Sequence, residues 1–199
     1  MRVRTAGAAA LFLLSVLSSV ETANACACCT DPGQRFVESV AIGTFERAEL
    51  DGVHFAETAM LFQSPGFPDD LRGIANPSGD AYRVSGGVSG KRISFEFTDK
   101  DGRSGKIDFA LPARITRFEV DPREETEATG GTGPTLYKEW RLSGRPKLSG
   151  ILRTRGAPYA TLILHGRGNS CTSSSDFGQW TLTVYGGGAA YKFLGALKR

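Results

Sequence analysis

From about residue 80 onward, apolar and polar residues alternate along the chain. In residues 93–98 (ISFEFT) every second residue is apolar, and residues 106–111 (KIDFAL) repeat the pattern. Because successive side chains of a β-strand point to opposite faces, this period of two predicts strands with one buried face. Between the runs, Asp101-Gly102 is a typical hairpin turn. Arg103 stands where a calcium loop needs a ligand, so the pattern predicts a β-hairpin rather than a calcium site.

Similar runs predict that most of the remaining chain also forms strands. They lie at 82–88, 115–120, 136–143, 148–154, 159–165, 180–185 and 191–193, with a less regular run at 53–62 and either a short helix or an early strand within 34–49. Polar loops rich in glycine, proline or serine lie at 64–80, 121–135 and 169–178. None of these loops separates two segments that could each form a hydrophobic core of their own. The pattern therefore predicts one all-β domain over 26–199, an antiparallel β-sandwich or barrel of about eight or nine short strands.

Composition supports this class and excludes others. Glycine contributes 25 of 199 residues without a collagen-like period, which indicates many turns between strands. The net charge is only +3, and no cluster of basic residues accompanies it. We therefore expect no nucleic acid among the partners of this protein.

The first 25 residues have the layout of a signal peptide. Arg2 and Arg4 precede an uncharged apolar stretch at 8–20, and small residues follow at 22–25. The apolar stretch is shorter than the roughly 20 residues of a membrane-spanning helix, and no other segment reaches that length. The sequence thus predicts an exported protein, periplasmic or secreted, without a transmembrane segment. Cleavage after Ala25 would make Cys26 the new N-terminus, but Ala23 replaces the leucine of a lipoprotein signal, so a lipid anchor at Cys26 is disfavoured.

Three of the four cysteines, Cys26, Cys28 and Cys29, are crowded at the mature N-terminus, and the fourth is Cys171. An exported protein with an even number of cysteines favours disulfide bonds. Pairing Cys28 with Cys29 would strain the bond between adjacent residues, so the favoured bridge joins Cys171 to Cys28 or Cys29. All four cysteines are therefore disulfide candidates.

The same cluster is a candidate site for a soft metal. Thiolates are preferred ligands of Cu(I) and also bind Zn²⁺, so Cys26, Cys28 and Cys29 could hold copper or zinc. A structural zinc site needs a second pair of ligands, however, and His54 and His165 are isolated in the sequence. We therefore rank the metal site below the disulfides, and no other cofactor is predicted.

Motifs of known catalytic sites are absent. Residues 85–92 (SGGVSGKR) only partly match a phosphate-binding loop, and they lead into a strand instead of a helix, so a turn is the better interpretation. Arg167 lies between glycines at 166 and 168 and could hold an anion, although a structural role is favoured. Whether the protein is an enzyme stays uncertain, and we expect that it is not.

Several of these features resemble those of a group of small secreted bacterial proteins of uncharacterised function. The likeness lies in the Cys-x-Cys-Cys start followed by Pro32-Gly33, in residues 136–142 (LYKEWRL), and in residues 166–169 (GRGN) with Cys171 and Trp180. The resemblance implies an exported protein of the bacterial cell envelope. It brings no catalytic residues with it.

Three hypotheses on function follow. The first is a binding or structural role in the cell envelope, with a small-molecule ligand in the mouth of a barrel. The second is a soft-metal, copper-like binding protein that uses the N-terminal cysteines. The third is an envelope hydrolase whose site has no recognisable motif.

Overall fold

The structure is a computed structural model that describes residues 33–62, 71–122, 136–169 and 173–198. The described residues form eleven strands, one α-helix and one 3-10 helix. The α-helix is α1 (Thr44–Asp51), and the 3-10 helix spans Ser174–Asp176. The strands are β1 (Arg35–Ala41), β2 (His54–Leu61), β3 (Ala81–Ser89), β4 (Arg92–Thr98), β5 (Ser104–Ala110), β6 (Arg114–Val120), β7 (Leu136–Gly144), β8 (Lys147–Gly150), β9 (Tyr159–Gly168), β10 (Phe177–Gly186) and β11 (Ala189–Lys198).

All eleven strands belong to one antiparallel sheet, so the predicted all-β antiparallel class is confirmed. The strand order is β1-β6-β7-β9-β10-β11-β2-β3-β4-β5-β8, with β1 and β8 at the edges. Hydrogen bonds therefore do not close the sheet into a barrel. The expected eight or nine strands were too few, because the early segment forms β1 as well as a helix and every later candidate run finds a pairing partner.

Two short connections join the opposite ends of this sheet. Residues 111–113 link β5 to β6, and residues 145–146 link β7 to β8. Since β5 pairs with β8 and β6 pairs with β7, the chain bends sharply at both connections. A side chain at Gly144 in β7 would lie 2.8 Å from the ring of Phe109 in β5. The sheet is thus folded over so that β7 contacts β5, and the buried residues of its strands form one core.

Aromatic rings fill the middle of this core. Trp180 is fully buried and stacks on Phe95 at 5.5 Å between ring centroids, while Phe97 stacks on Phe193 at 4.0 Å. The side chains come from β4, β10 and β11, and they alternate with outward-facing polar residues, as the period of two predicts. Their burial is the main favourable term that holds the rolled sheet together.

Helix α1 covers one end of the rolled sheet, which we call the helix end. Leu50 is fully buried there. The Arg47 guanidinium, one turn before Leu50, donates a hydrogen bond to the Gly90 carbonyl in the β3–β4 turn. The Gly43 N–H before the helix donates to Glu46 Oε2 at 3.0 Å, which satisfies one of the free donors at the helix N-terminus.

Residues 71–80 cover the opposite end, which we call the strap end. Arg72 and Ala190 of β11 exchange backbone hydrogen bonds, and the Ala75 N–H donates to the Ile151 carbonyl at 2.8 Å. Residues 71–80, which we call the strap, therefore cross the end of the core from β11 to the residues that follow β8. It accounts for the described part of the loop predicted at 64–80.

One local prediction agrees with the structure, and two depart from it. The β4–β5 hairpin is confirmed, with Thr98 opposite Ser104, and the buried Asp99 accepts bonds from the backbone of its turn. The strand predicted at 148–154 is wrong beyond Gly150, where a left-handed glycine (φ 60°) starts a turn. The loop predicted at 169–178 is interrupted by the 3-10 helix and by the start of β10.

Candidate binding cleft

The sheet splits between β2 and β3 near the helix end. The ladder between these strands joins residues 58–60 to residues 81–83, and the Leu61 N–H continues it with a bond to the Asp80 carbonyl. Toward the helix end, each strand is several residues longer than the ladder. Toward the helix end, β2 continues beside β11, and β3 continues beside β4. Gly86 and Gly87 have φ values of 107° and 149°, which favour glycine, and a side chain at Gly86 would meet the Ser94 carbonyl of β4 at 2.0 Å. A cleft lies beyond the last ladder pair of β2 and β3.

The cleft is large enough for a small ligand or a peptide segment. Two adjoining lobes of about 570 Å³ each share Phe55, Gly86 and Lys198 in their walls. A third space of about 490 Å³ shares His54 and Lys198 and reaches α1 and Ser173–Ser175. Known ligand pockets commonly measure about 300–1,000 Å³, so each lobe falls in that range.

An aromatic ring forms the floor of the cleft. The Phe55 ring packs edge-on against Phe95 at 4.9 Å and against Trp180 at 5.7 Å between centroids. Its outer side lies over Gly87, where any side chain would come within 2.8 Å of the ring. The floor is therefore anchored in the core and offers an apolar surface next to the polar walls.

The charged side chains that line the two main lobes balance each other. Three cations face three anions, namely Arg83, Arg92 and Lys198 against Asp51, Glu57 and Glu96. Lys198 pairs with Glu57 at 3.0 Å, but both side chains are largely exposed, so the pair is weak and can open for a ligand. Such walls suit a neutral or zwitterionic ligand with many hydrogen-bonding groups.

Buried ion pairs hold the helix end together beside the cleft. Lys138 on the core face of β7 is 3% exposed, and its Nζ lies 2.7 Å from Asp176 Oδ2 in the 3-10 helix. Arg117 of β6 contacts Glu46 of α1 at 2.8 Å and lies over the Trp140 ring. Removing one partner of a buried ion pair leaves an unpaired buried charge and destabilises the fold. These contacts therefore fix α1 and the 3-10 helix on the sheet.

The carboxyl group of Glu119 lies among these charges. Burial raises its pKa, and the nearby cations Lys138 and Arg117 only partly oppose that effect. The backbone of β6 and β7 brings the groups together, because Glu119 lies directly opposite Lys138. The charge network therefore contains a carboxyl group that binds a proton more readily than usual.

Glycines in β9 make room for the Lys138–Asp176 pair. A side chain at Gly168 would come within 2.1 Å of the Asp176 carboxylate, and one at Gly166 would meet the Asp176 carbonyl. Both lie inside β9, and Gly86 and Gly87 likewise lie inside β3, so the turn predicted within 85–92 is confined to the residues after Ser89. Arg167 between them is exposed on the outer face, opposite Tyr137.

The outer face of β7, β9 and β10 carries a second polar cluster. Glu139 accepts hydrogen bonds of 2.6 Å from the Tyr137 hydroxyl and from Arg141 Nε. His165 lies opposite Glu139, its Nε2 is 3.3 Å from Thr181 Oγ1, and burial lowers its pKa. Because Tyr137 and Arg141 already occupy the Glu139 carboxylate, the cluster lacks the carboxylate–histidine contact of a catalytic triad. It gives no support to the hydrolase hypothesis.

The cysteines named in the sequence, Cys26, Cys28, Cys29 and Cys171, lie outside the described residues, as do the signal peptide and its cleavage site. Within the described ranges, no three His, Cys, Asp or Glu side chains are arranged to hold a metal ion. The α-helix of the described chain has eight residues, and none of the described segments forms a helix that could cross a membrane.

Sequence reasoning missed the cleft and the buried charges. His54 was noted only as an isolated histidine, but it lines the cleft beside Lys198. Lys138 is in phase with the buried Leu136, Trp140 and Leu142 of β7. Arg117 is in phase with the buried Ile115 of β6 and with Glu119. A charge in phase with the apolar residues of a strand is the signal that could have revealed them.

No family model matches the chain, and no curated protein or solved structure matches it either. Function is therefore argued from the residues and their geometry.

Proposed function

We propose that this chain is an exported, ligand-binding β protein of the bacterial cell envelope, periplasmic or secreted, and that its ligand occupies the cleft between β2 and β3. The observation that carries the proposal is the split in the sheet, where β2 and β3 leave a polar cleft with an aromatic floor. Unpaired N–H and C=O groups beside such a split are available for hydrogen bonds to another molecule.

Other features support the same conclusion. The anchored Phe55 floor and the ion pairs of the helix end make the cleft a preformed site. The signal peptide predicted at 1–25 and the resemblance to small secreted bacterial proteins support the location.

The proposal can be tested by NMR with a library of soluble fragments as the probe. Ser85 is exposed and lines the cleft, so Ser85→Trp should fill the cleft without disturbing the core. Ser149→Trp on the exposed edge strand β8 is the matched control. Fragments should shift the resonances of Phe55 and Lys198 in the wild type and in Ser149→Trp, but not in Ser85→Trp. Binding elsewhere, or binding that survives Ser85→Trp, would contradict the proposal.

A soft-metal site at Cys26, Cys28 and Cys29 is the second candidate, and the spacing of the nearest described residues supports it. The Gly33 N–H donates to the Asp121 carbonyl at 2.8 Å, and the register of β6, β7 and β9 places Gly168 three strand spacings away, about 14 Å. Four residues back to Cys29 and three residues on to Cys171 can span about 23 Å. The anchors therefore permit a bridge between Cys171 and the N-terminal cluster, or a shared metal ion.

Thiol titration of the exported protein, purified without reductant, separates these two roles. Four oxidised cysteines would exclude the metal site and support the disulfides. Free thiols that bind copper or zinc in elemental analysis would support the metal site, and free thiols that bind neither would exclude it.

A further inference from the structure

We propose that the strap end of the core binds ordered internal water molecules, which hydrogen-bond the hydroxyls of Tyr82, Thr154 and Tyr191 and so fasten the strap to the sheet. The cleft lies toward the helix end, so this site is separate from it and does not depend on the proposed function. Folded proteins commonly bury water where polar groups would otherwise have no partner, and each such molecule makes about three hydrogen bonds.

The first argument is the environment of these hydroxyls. Tyr82 is 3% exposed and Tyr191 is 5% exposed, and the hydroxyl oxygen of Thr154 is buried as well. Within the part of the chain that the structure describes, none of these hydroxyls has a hydrogen-bond partner. Buried polar groups of folded proteins nearly always have one, because an unpaired group loses its bonds to water and gains nothing in return. We therefore expect a partner from outside the described chain.

The second argument is that these side chains lie beside the strap. Tyr82 is the second residue after the strap, in β3, and Tyr191 is next to the residue of β11 that exchanges backbone hydrogen bonds with Arg72. A side chain at Gly73 of the strap would lie 3.0 Å from the methyl carbon of Thr154. Water bound to these hydroxyls would therefore join the strap to β3, to β11 and to the residues after β8.

The third argument is that the tyrosine rings are fixed in the core. The Tyr82 and Tyr191 rings both pack edge-on against Phe193, at 5.2 and 5.8 Å between centroids, and Phe193 stacks on Phe97. Because a protein core is closely packed, neither ring can turn out to bulk solvent without breaking these contacts. The hydroxyls therefore stay buried, and only a molecule inside the fold can bind them.

The chemistry of the hydroxyls favours water over an ion. Burial raises the pKa of Tyr82 and of Tyr191, so both phenols stay neutral, and each can donate one hydrogen bond and accept another. The Asp99 carboxylate, whose charge also raises the pKa of Tyr82, is already paired with Arg103. A small neutral molecule that both donates and accepts hydrogen bonds is the matching partner, and water is such a molecule.

Removing one hydroxyl at a time tests the inference, because bound and unbound hydroxyls respond with opposite signs. If water is bound, Tyr191→Phe deletes a hydrogen bond, so the folding equilibrium constant should fall about fivefold and the midpoint of urea unfolding should fall with it. If no water is bound, the same change deletes an unpaired buried group, and the midpoint should rise. Tyr82→Phe should behave like Tyr191→Phe. Tyr159→Phe is the matched control, because Tyr159 is exposed, and we expect no shift there.

Magnetic relaxation dispersion of oxygen-17 water gives the direct measurement, because it counts the water molecules that stay in a protein longer than its tumbling time. The wild type and Tyr159→Phe should hold equal numbers of such molecules, and a triple variant with Tyr82→Phe, Thr154→Val and Tyr191→Phe should hold fewer. Lower midpoints in both single variants together with this loss of water support the site. A midpoint that stays the same or rises in either variant, or a triple variant that keeps all the water, would overturn it. Should the triple variant not fold, the two midpoints decide alone.

Discussion

Replacing Gly195 by alanine tests the packing beneath the cleft. Gly195 lies on β11, and a side chain there would stand 2.4–2.5 Å from three atoms of the Trp180 indole. Carbon atoms normally pack at about 3.5–4.0 Å, so the new methyl group must push the indole by about 1 Å. Trp180 is fully buried and contacts the Phe55 ring that forms the cleft floor.

The expected cost follows from this overlap. Overpacking a core commonly costs about 1–3 kcal/mol, and contact with three ring atoms places Gly195→Ala near the upper end. Alanine also restricts the unfolded chain, which offsets about 0.4–1 kcal/mol. The net loss is therefore about 2 kcal/mol, which lowers the melting temperature of a domain of this size by about 4–8 °C.

Urea and thermal unfolding provide the assay, and a double-mutant cycle gives it specificity. Trp180→Phe removes the indole atoms that the new methyl group would meet, so Gly195→Ala should cost much less in that background. Gly52→Ala is the control, because Gly52 has an ordinary φ of −78° and its nearest atom would lie at 3.4 Å. We expect little change there. Strictly additive costs of Gly195→Ala and Trp180→Phe would refute this account of the core.

Three further predictions concern the charges and the 3-10 helix. Glu119 has a raised pKa in the folded state, so its ionisation lowers the free energy of unfolding as the pH rises above about 4.3. In urea unfolding, the stability of Glu119→Gln relative to the wild type should therefore increase from acidic to neutral pH. Burial raises the pKa of Asp99, but hydrogen bonds from Arg103 outweigh this effect and lower the pKa. Asp99→Asn should therefore lower the free energy of unfolding most at neutral pH. The difference should be smallest in acid, where protonation of Asp99 removes the same stabilisation from the wild type. Gly168→Ala should displace Asp176 and speed amide exchange in the 3-10 helix, with Gly52→Ala unchanged; equal exchange in both variants would contradict the role given to Gly168.

The strands could be predicted because the alternation of apolar and polar residues is a local property of the sequence. In β9, Ala160, Leu162 and Leu164 are buried, as the period of two requires. The ambiguity over 34–49 had a physical cause, since this segment forms a strand and a helix in succession, β1 and α1. Edge position and partial burial weaken the period-two signal in β1.

The cleft and the charge network could not be read from the sequence because both depend on distant partners. Lys138 pairs with Asp176, 38 residues away, and nothing near Lys138 reveals that partner. The split depends on where β2 and β3 stop pairing, and these strands are joined by a long connection. The sequence contains Gly86-Gly87, but only the register shows that they lie within β3, opposite Phe95 and Ser94 of β4.

Residue-resolved amide hydrogen exchange tests the central claim most directly, because it reports whether the sheet is open where the ligand is placed. In the free protein, we predict slow exchange for Leu61, which bonds to Asp80, and fast exchange for Gly86 of β3, which lies beyond the ladder and alternates with residues paired to β4. A ligand bound in the cleft should slow the exchange of Gly86 and leave Leu61 unchanged. Equal protection of Gly86 and Leu61 in the free protein would show that β2 and β3 pair along their full length, and it would contradict the cleft.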